Sequence, residues 1–147
     1  MSTHILLLED TYSEQRRIVE HLHGDGYIVD AHARIDSAKE FFNSNSKLID
    51  CIVVDLNMDE KWLGDFSTEA DGGWRSGWIF LQRYVYPIEP CMPTVVYSAA
   101  IDETLIVTIR NNAPNACIEF VPKGNYADGG IKALLMAIER VTGRRGE

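Results

Sequence analysis

Five polar residues stand directly behind short apolar runs in this chain of 147 residues. Glu9 and Asp10 follow Ile5-Leu6-Leu7-Leu8, and Asp55 follows Cys51-Ile52-Val53-Val54. Ser98 follows Pro93-Thr94-Val95-Val96-Tyr97, and Lys123 comes after Cys117-Ile118-Glu119-Phe120-Val121 and Pro122. Three carboxylates gathered in one crevice repel one another, so either some stay protonated or a cation sits among them. The ligands on offer are hard oxygens, which select Mg2+, Mn2+ or Ca2+ over zinc or copper. A small site with few carboxylates and room for water suits Mg2+ bound together with a phosphate. A lysine and a hydroxyl facing the same point complete a phosphoryl clamp, Lys123 as a point charge and Ser98 as a hydrogen-bond donor. Taken singly, each residue has a plainer reading. An acidic residue after a strand caps a helix or forms a turn, and a lysine beside Gly124 is a solvated loop residue. The set is more specific than its members, because all five positions follow strands.

The elements that must position these residues alternate along the chain. Each apolar run is too short for a helix and suits a strand buried on both faces. Tyr27-Ile28-Val29-Asp30-Ala31 adds a second, weaker strand. Between the strands lie stretches with helical spacing. Thr11 to His23 carries Ile18, Val19 and Leu22 on one face and is stopped by Gly24 and Gly26. Asp36 or Ser37 caps a helix to about Asn43, with Ala38, Phe41 and Phe42 inward. A helix follows over Gly77 to Tyr86, another runs from an Asp102 cap to about Asn112, and the last spans Ala127 to Val141. Five strands alternating with five helices predict an α/β sandwich with a largely parallel sheet and right-handed crossovers. In such sheets function sits at the carboxyl ends of the strands, beside the switch in strand order.

Composition narrows the function classes. Lys plus Arg number 14 and Asp plus Glu 22, a formal net charge of −8, which argues against a nucleic-acid-binding face and against adhesion to an anionic membrane. Hydrophobic residues make up 46%, enough for one folded domain over 1–147. No apolar run approaches a membrane span. Three cysteines without CxxC spacing predict neither disulfides nor zinc, and point to a reducing cytoplasm. The four histidines share no ligand spacing. After the first strand stands Glu9-Asp10-Thr11-Tyr12 rather than a glycine-rich phosphate loop, which argues against a flavodoxin-type cofactor binder or a metal-dependent phosphatase.

At these strand ends the sequence resembles the receiver domain of two-component response regulators, the CheY-like family. The residues that carry the resemblance are Glu9-Asp10, Asp55 within Val53-Val54-Asp55-Leu56-Asn57-Met58, Ser98 and Lys123, and they span nearly the whole chain. The resemblance implies a flavodoxin-like (βα)5 doubly wound sheet of strand order 2-1-3-4-5, an order for which CheY is itself a standard example. It implies that Asp55 is the phosphoacceptor, attacking a phosphohistidine of a histidine kinase or histidine phosphotransfer protein in a phosphorelay. Asp10 would bind Mg2+ with Glu9, directly or through water, Asp55 and the backbone carbonyl of Asn57. Ser98 and Lys123 would hold the phosphoryl group, and Phe120 would be the aromatic that turns inward on activation. A face of the fourth strand, fourth helix and fifth strand would then be read by a protein partner, a two-state switch biased by a local charge. The chain would be a signalling domain that catalyses only its own phosphorylation and dephosphorylation, with homodimer formation left open.

Three departures from the family pattern stand out. Lys123 is followed by Gly124 where the family carries proline. Asp59 follows Met58 where the family again carries proline. The loop after the third strand is enlarged by an insert over about 60–76, holding Trp62, Phe66 and Trp74, with Trp78 at its edge. A loop this long inside a compact domain calls for a role of its own. Its aromatics either pack back on the sheet edge or form a partner surface or lid over Asp55; its acids match no calcium loop. The alternative function is a degenerate receiver, acting as a protein-interaction module without phosphate.

Overall fold

A computed structural model of the chain describes residues 2–56, 76–99, 101, 103–114 and 116–143. The strands are β1 His4–Leu8, β2 Ile28–His32, β3 Cys51–Val54, β4 Thr94–Ser98 and β5 Ile118–Pro122. They form one parallel sheet in the order β2-β1-β3-β4-β5. The helices are α1 Tyr12–Gly24, α2 Ile35–Asn45, α3 Ser76–Phe80, α4 Glu103–Asn112 and α5 Ile131–Thr142. The architecture is the (βα)5 doubly wound one.

The continuous apolar runs are explained by alternation across a sheet covered on both sides. Leu6, Leu8, Ile52, Val54 and Val96 face a cluster with Ile35, Phe42, Phe80, Leu81, Leu105 and Ile109, from α2 to α4. Ile5, Leu7, Val53, Val95 and Tyr97 face the other way, onto Ile18, Leu22, Leu134 and Ile138 of α1 and α5. The central strands β3 and β4 therefore bury every side chain and β1 all but that of His4, while β2 and β5 at the edges are only half covered.

Several boundaries differ from those read off the sequence, two of them for a clear local reason. The last helix begins at Ile131 rather than Ala127. Gly129 and Gly130 take φ of 72° and 86°, which no right-handed helix accommodates. The Asp128 carboxylate instead accepts from the N–H groups of Gly130 (2.9 Å) and Lys132 (3.1 Å). The helix placed over Gly77 to Tyr86 is α-helical only to Phe80, and Leu81–Val85 winds as a π-helix. The Tyr86 N–H donates to the Leu81 carbonyl at 2.9 Å, five residues back. β2, β4 and β5 are each displaced one residue towards the C-terminus, so Ser98 is the last residue of β4, paired with Pro122.

The two ends of the insert meet. The Leu56 carbonyl accepts from both the Ser76 hydroxyl and the Gly77 N–H, each at 3.1 Å. The fold is thus closed at this point whatever lies between, and a longer loop adds little closure entropy. The readings made for Asn57, Trp62, Phe66, Trp74 and the insert acids fall outside the described residues. Trp78 lies within them. It is a core residue, 4% exposed, and its ring stands 6.4 Å from that of Tyr86.

Candidate active site at the carboxyl edge of the sheet

β1 and β3 are hydrogen-bonded neighbours at the centre of the sheet, with Leu8 opposite Val54. The chain leaves both strands at the same level, and the Asp55 N–H still donates to the Leu8 carbonyl at 3.1 Å. Glu9, Asp10 and Asp55 consequently share one pit, with one carboxylate oxygen of each within 4.8 Å of the others. Across from them β4 delivers Ser98 and the turn after β5 delivers Lys123. The Ser98 hydroxyl donates to Asp55 Oδ1 at 2.6 Å, and the Lys123 ammonium donates to Asp55 Oδ2 at 3.3 Å. The two donors take different oxygens of one carboxylate.

Glu9 is held on both oxygens as well. Oε1 accepts from the Thr11 N–H at 3.1 Å and Oε2 from Lys123 at 2.8 Å, while the Gln15 amide donates to the Glu9 carbonyl. Glu9 is 1% exposed, and burial together with the charge of Asp55 pushes its pKa up to about 7 against the opposing pull of Lys123. Burial draws the Lys123 pKa down, but the carboxylates of Asp55, Glu9 and Glu14 outweigh it and hold the ammonium above its ordinary value. One ammonium serves three carboxylates here, since Glu14 also stands 3.8 Å away. Among the described residues the pit holds more negative groups than nearby cations, and its candidate ligands Glu9, Asp10 and Asp55 offer hard oxygens. That donor set fits a divalent ion such as Mg2+.

Gly77 positions Asp55 from behind. A Cβ at residue 77 would lie 2.2 Å from the Asp55 carbonyl oxygen and 2.9 Å from the Leu56 Cα. Only glycine lets the start of α3 approach the end of β3 this closely.

Of the other predicted positions, Phe120 lies on β5 opposite Val96, half-buried against the α2–α4 core. The Arg110 guanidinium of α4 caps its ring at 5.4 Å. Phe120 is not in the pit. Three participants were not singled out from sequence: Glu14, Arg17 and Tyr97. The Arg17 guanidinium donates to Glu14 at 2.8 Å and to the Tyr97 hydroxyl at 3.0 Å, and the Lys123 ammonium lies 5.0 Å above the Tyr97 ring. The available signal was a phenol placed on the buried face of an otherwise aliphatic strand.

No family model and no curated protein matches the chain. Solved structures do. A response regulator receiver domain from Clostridium thermocellum is 18% identical, with a TM-score of 0.70 over 97% of this chain and 96% of that one. The non-phosphorylated HemR receiver domain from Leptospira biflexa is 23% identical, with a TM-score of 0.72 over 96% and 94%. CheY in the CheX-CheY-BeF3-Mg2+ complex from Borrelia burgdorferi is 16% identical, with a TM-score of 0.73 over 95% and 88%. The chain has the receiver-domain fold. At these identities the likeness is one of fold.

Proposed function

We propose that this receiver fold is a working one: Asp55 accepts a phosphoryl group from a phosphohistidine of a histidine kinase or phosphotransfer protein. The supporting observation is that an amine and a hydroxyl address separate oxygens of Asp55, beside two further carboxylates. In the transfer an Asp55 oxygen forms the bond to phosphorus and the phosphorus–nitrogen bond breaks. The imidazole leaves with the electron pair and takes up a proton. Charge on the equatorial oxygens must be met by fixed groups, and Lys123 and Ser98 lie within reach to meet it. Glu9, Asp10 and Asp55 would hold Mg2+, with the Asn57 carbonyl as a further ligand, and the ion would neutralise charge on the phosphoryl oxygens.

Ser98 would then exchange its acceptor from Asp55 Oδ1 to a phosphoryl oxygen. Phe120 would have to leave the Arg110 guanidinium to turn inward, altering the face shared by β4, α4 and β5 that a downstream protein reads. We take the whole of 1–147 as one such unit, with the insert at 60–76 as an elaboration of it. The three free cysteines support a cytoplasmic setting, and among the described residues no helix is long and apolar enough to cross a membrane. Catalysis by the domain would extend only to its own phosphorylation and dephosphorylation.

Incubation with acetyl phosphate and Mg2+ tests this. The intact mass should rise by one phosphoryl group, the rise should vanish with EDTA, and Asp55→Asn should abolish it. A mass unchanged in the wild type, or a gain that survives Asp55→Asn, contradicts the proposal.

A further inference from the structure

Lys123 opens a single 3-10 turn, Lys123–Asn125, that has no side-chain cap. Gly124 follows the lysine, and a Cβ there would meet nothing within 4 Å, so packing does not constrain it. Nevertheless Lys123 is held, with its side chain 15% exposed and bonded to two carboxylates. The constraint comes from beneath. Tyr97, 1% exposed on β4, lies under the ammonium with its ring at 5.0 Å. Its hydroxyl donates to the Gly129 carbonyl and accepts from the Arg17 guanidinium, which Glu14 holds from the other side. The far end of the same turn closes onto this group. A Cβ on Gly129 would just touch the Arg17 guanidinium at 3.4 Å, and one on Gly130 would press on the Tyr97 ring at 3.2 Å. Both glycines are left-handed, so the backbone is shaped to let phenol and guanidinium in.

We infer that Tyr97, braced by Arg17 and Glu14, is the positioning residue for Lys123: its ring face supports the ammonium and its hydroxyl ties the turn between β5 and α5 to β4 and α1. This rests on the phosphoacceptor reading for its kinetic consequence, though not for its geometry. A cation over an aromatic face is strongest where water is excluded, and a phenol fixed at both ends loses little entropy on holding it. Tyr97 touches neither phosphoryl group nor metal in this scheme. It sets where Lys123 stands relative to Asp55 and Glu9.

Two readouts on the full chain test it. The first is the NMR signal of Lys123 after reductive methylation with 13C-formaldehyde, assigned with Lys123→Arg. In the wild type and Tyr97→Phe the methyl resonance should be shifted upfield by the ring, and in Tyr97→Leu it should move to the position of a free lysine. A wild-type resonance at the free-lysine position overturns the inference whether or not the protein accepts phosphate. The second is the rate of labelling by acetyl phosphate at saturating Mg2+. Tyr97→Leu should lower it by about three- to thirtyfold, Tyr97→Phe by less, with Mg2+ affinity unchanged. Rates within twofold of wild type in Tyr97→Leu, or a loss matched by an equal loss of Mg2+ affinity, overturn it. Should Tyr97→Leu fail to fold, Tyr97→Phe and Arg17→Gln carry the rate measurement with the same expected direction. A wild type that takes no label while keeping the shifted Lys123 resonance sinks the phosphoacceptor reading alone.

Discussion

The two ends of the sheet both carry charge, and they use it differently. At the amino end an open groove of about 850 Å3 is lined by His4, Lys47, Asp50 and Glu89 among others. Its ion pair, Lys47 to Glu89 at 3.2 Å, joins a lysine side chain that is 90% exposed to a partner that is 30% exposed. Water screens such a pair, and its contribution to stability is small. At the carboxyl end Glu9, Asp55 and Ser98 are buried and Lys123 nearly so, and each of them has a partner inside the pit. Similar residue types thus give a solvated rim at one end and a preorganised electrostatic site at the other. Burial and convergence, rather than the count of charges, separate a site from a surface.

Removing the two lysines should expose that contrast most sharply. Lys123→Ala should slow labelling of Asp55 by about a hundredfold or more, the scale of losing one preorganised donor. Lys47→Ala should leave the rate within about twofold. Parallel time courses with acetyl phosphate compare them, and equal rates for both variants would dissolve the distinction.

Backbone fit gives the next largest effect. Gly77→Ala forces a Cβ into the Asp55 carbonyl and should destabilise the protein by about 1–3 kcal/mol, the usual scale of overpacking. Gly24→Ala meets nothing within 4 Å and should change stability by less than about 1 kcal/mol. Urea denaturation of both variants measures the difference.

Titration offers a subtler probe. In the folded protein Glu9 keeps its proton to about pH 7, against an ordinary value of 4.5. The folded state therefore binds more protons than the unfolded chain between those values, and metal-free stability falls as pH rises through that window. Glu9→Gln should melt higher than the wild type at pH 8, with the gap closing towards pH 4.5. A gap that does not change with pH would show that burial of Glu9 costs nothing. The smallest expected effect is at the rim: Arg110→Ala removes the guanidinium from Phe120 and should shift stability by about 0.5–1 kcal/mol. Fluorine NMR of labelled phenylalanine would report whether Phe120 turns inward more readily in that variant.

The sheet was legible in the sequence because its central strands are buried on both sides and read as unbroken apolar runs. Strand order was not carried by periodicity; it came from the resemblance, and the register of β1 on β3 agrees with it. Helix boundaries were legible where a stop signal is unambiguous, as at Gly24 and Gly26. They failed where conformation depends on neighbours: Gly129-Gly130 delays α5, and the π-helical turn at Leu81–Val85 leaves no mark in a 3.6-residue pattern. The residues that converge on the pit were legible as a set behind strands. The Glu14-Arg17-Tyr97 support was not, because it joins α1 to β4 across 80 positions of chain, and nothing local marks such a pairing.

The central claim is that Asp55 is the acceptor. Borohydride reduction of the acetyl-phosphate-treated protein converts an acyl phosphate on aspartate to homoserine, which peptide mass spectrometry locates. The account predicts homoserine at position 55 alone, dependent on Mg2+ and strongly reduced in Lys123→Ala. Homoserine at another aspartate, or none in a folded protein with Mg2+ present, would contradict it.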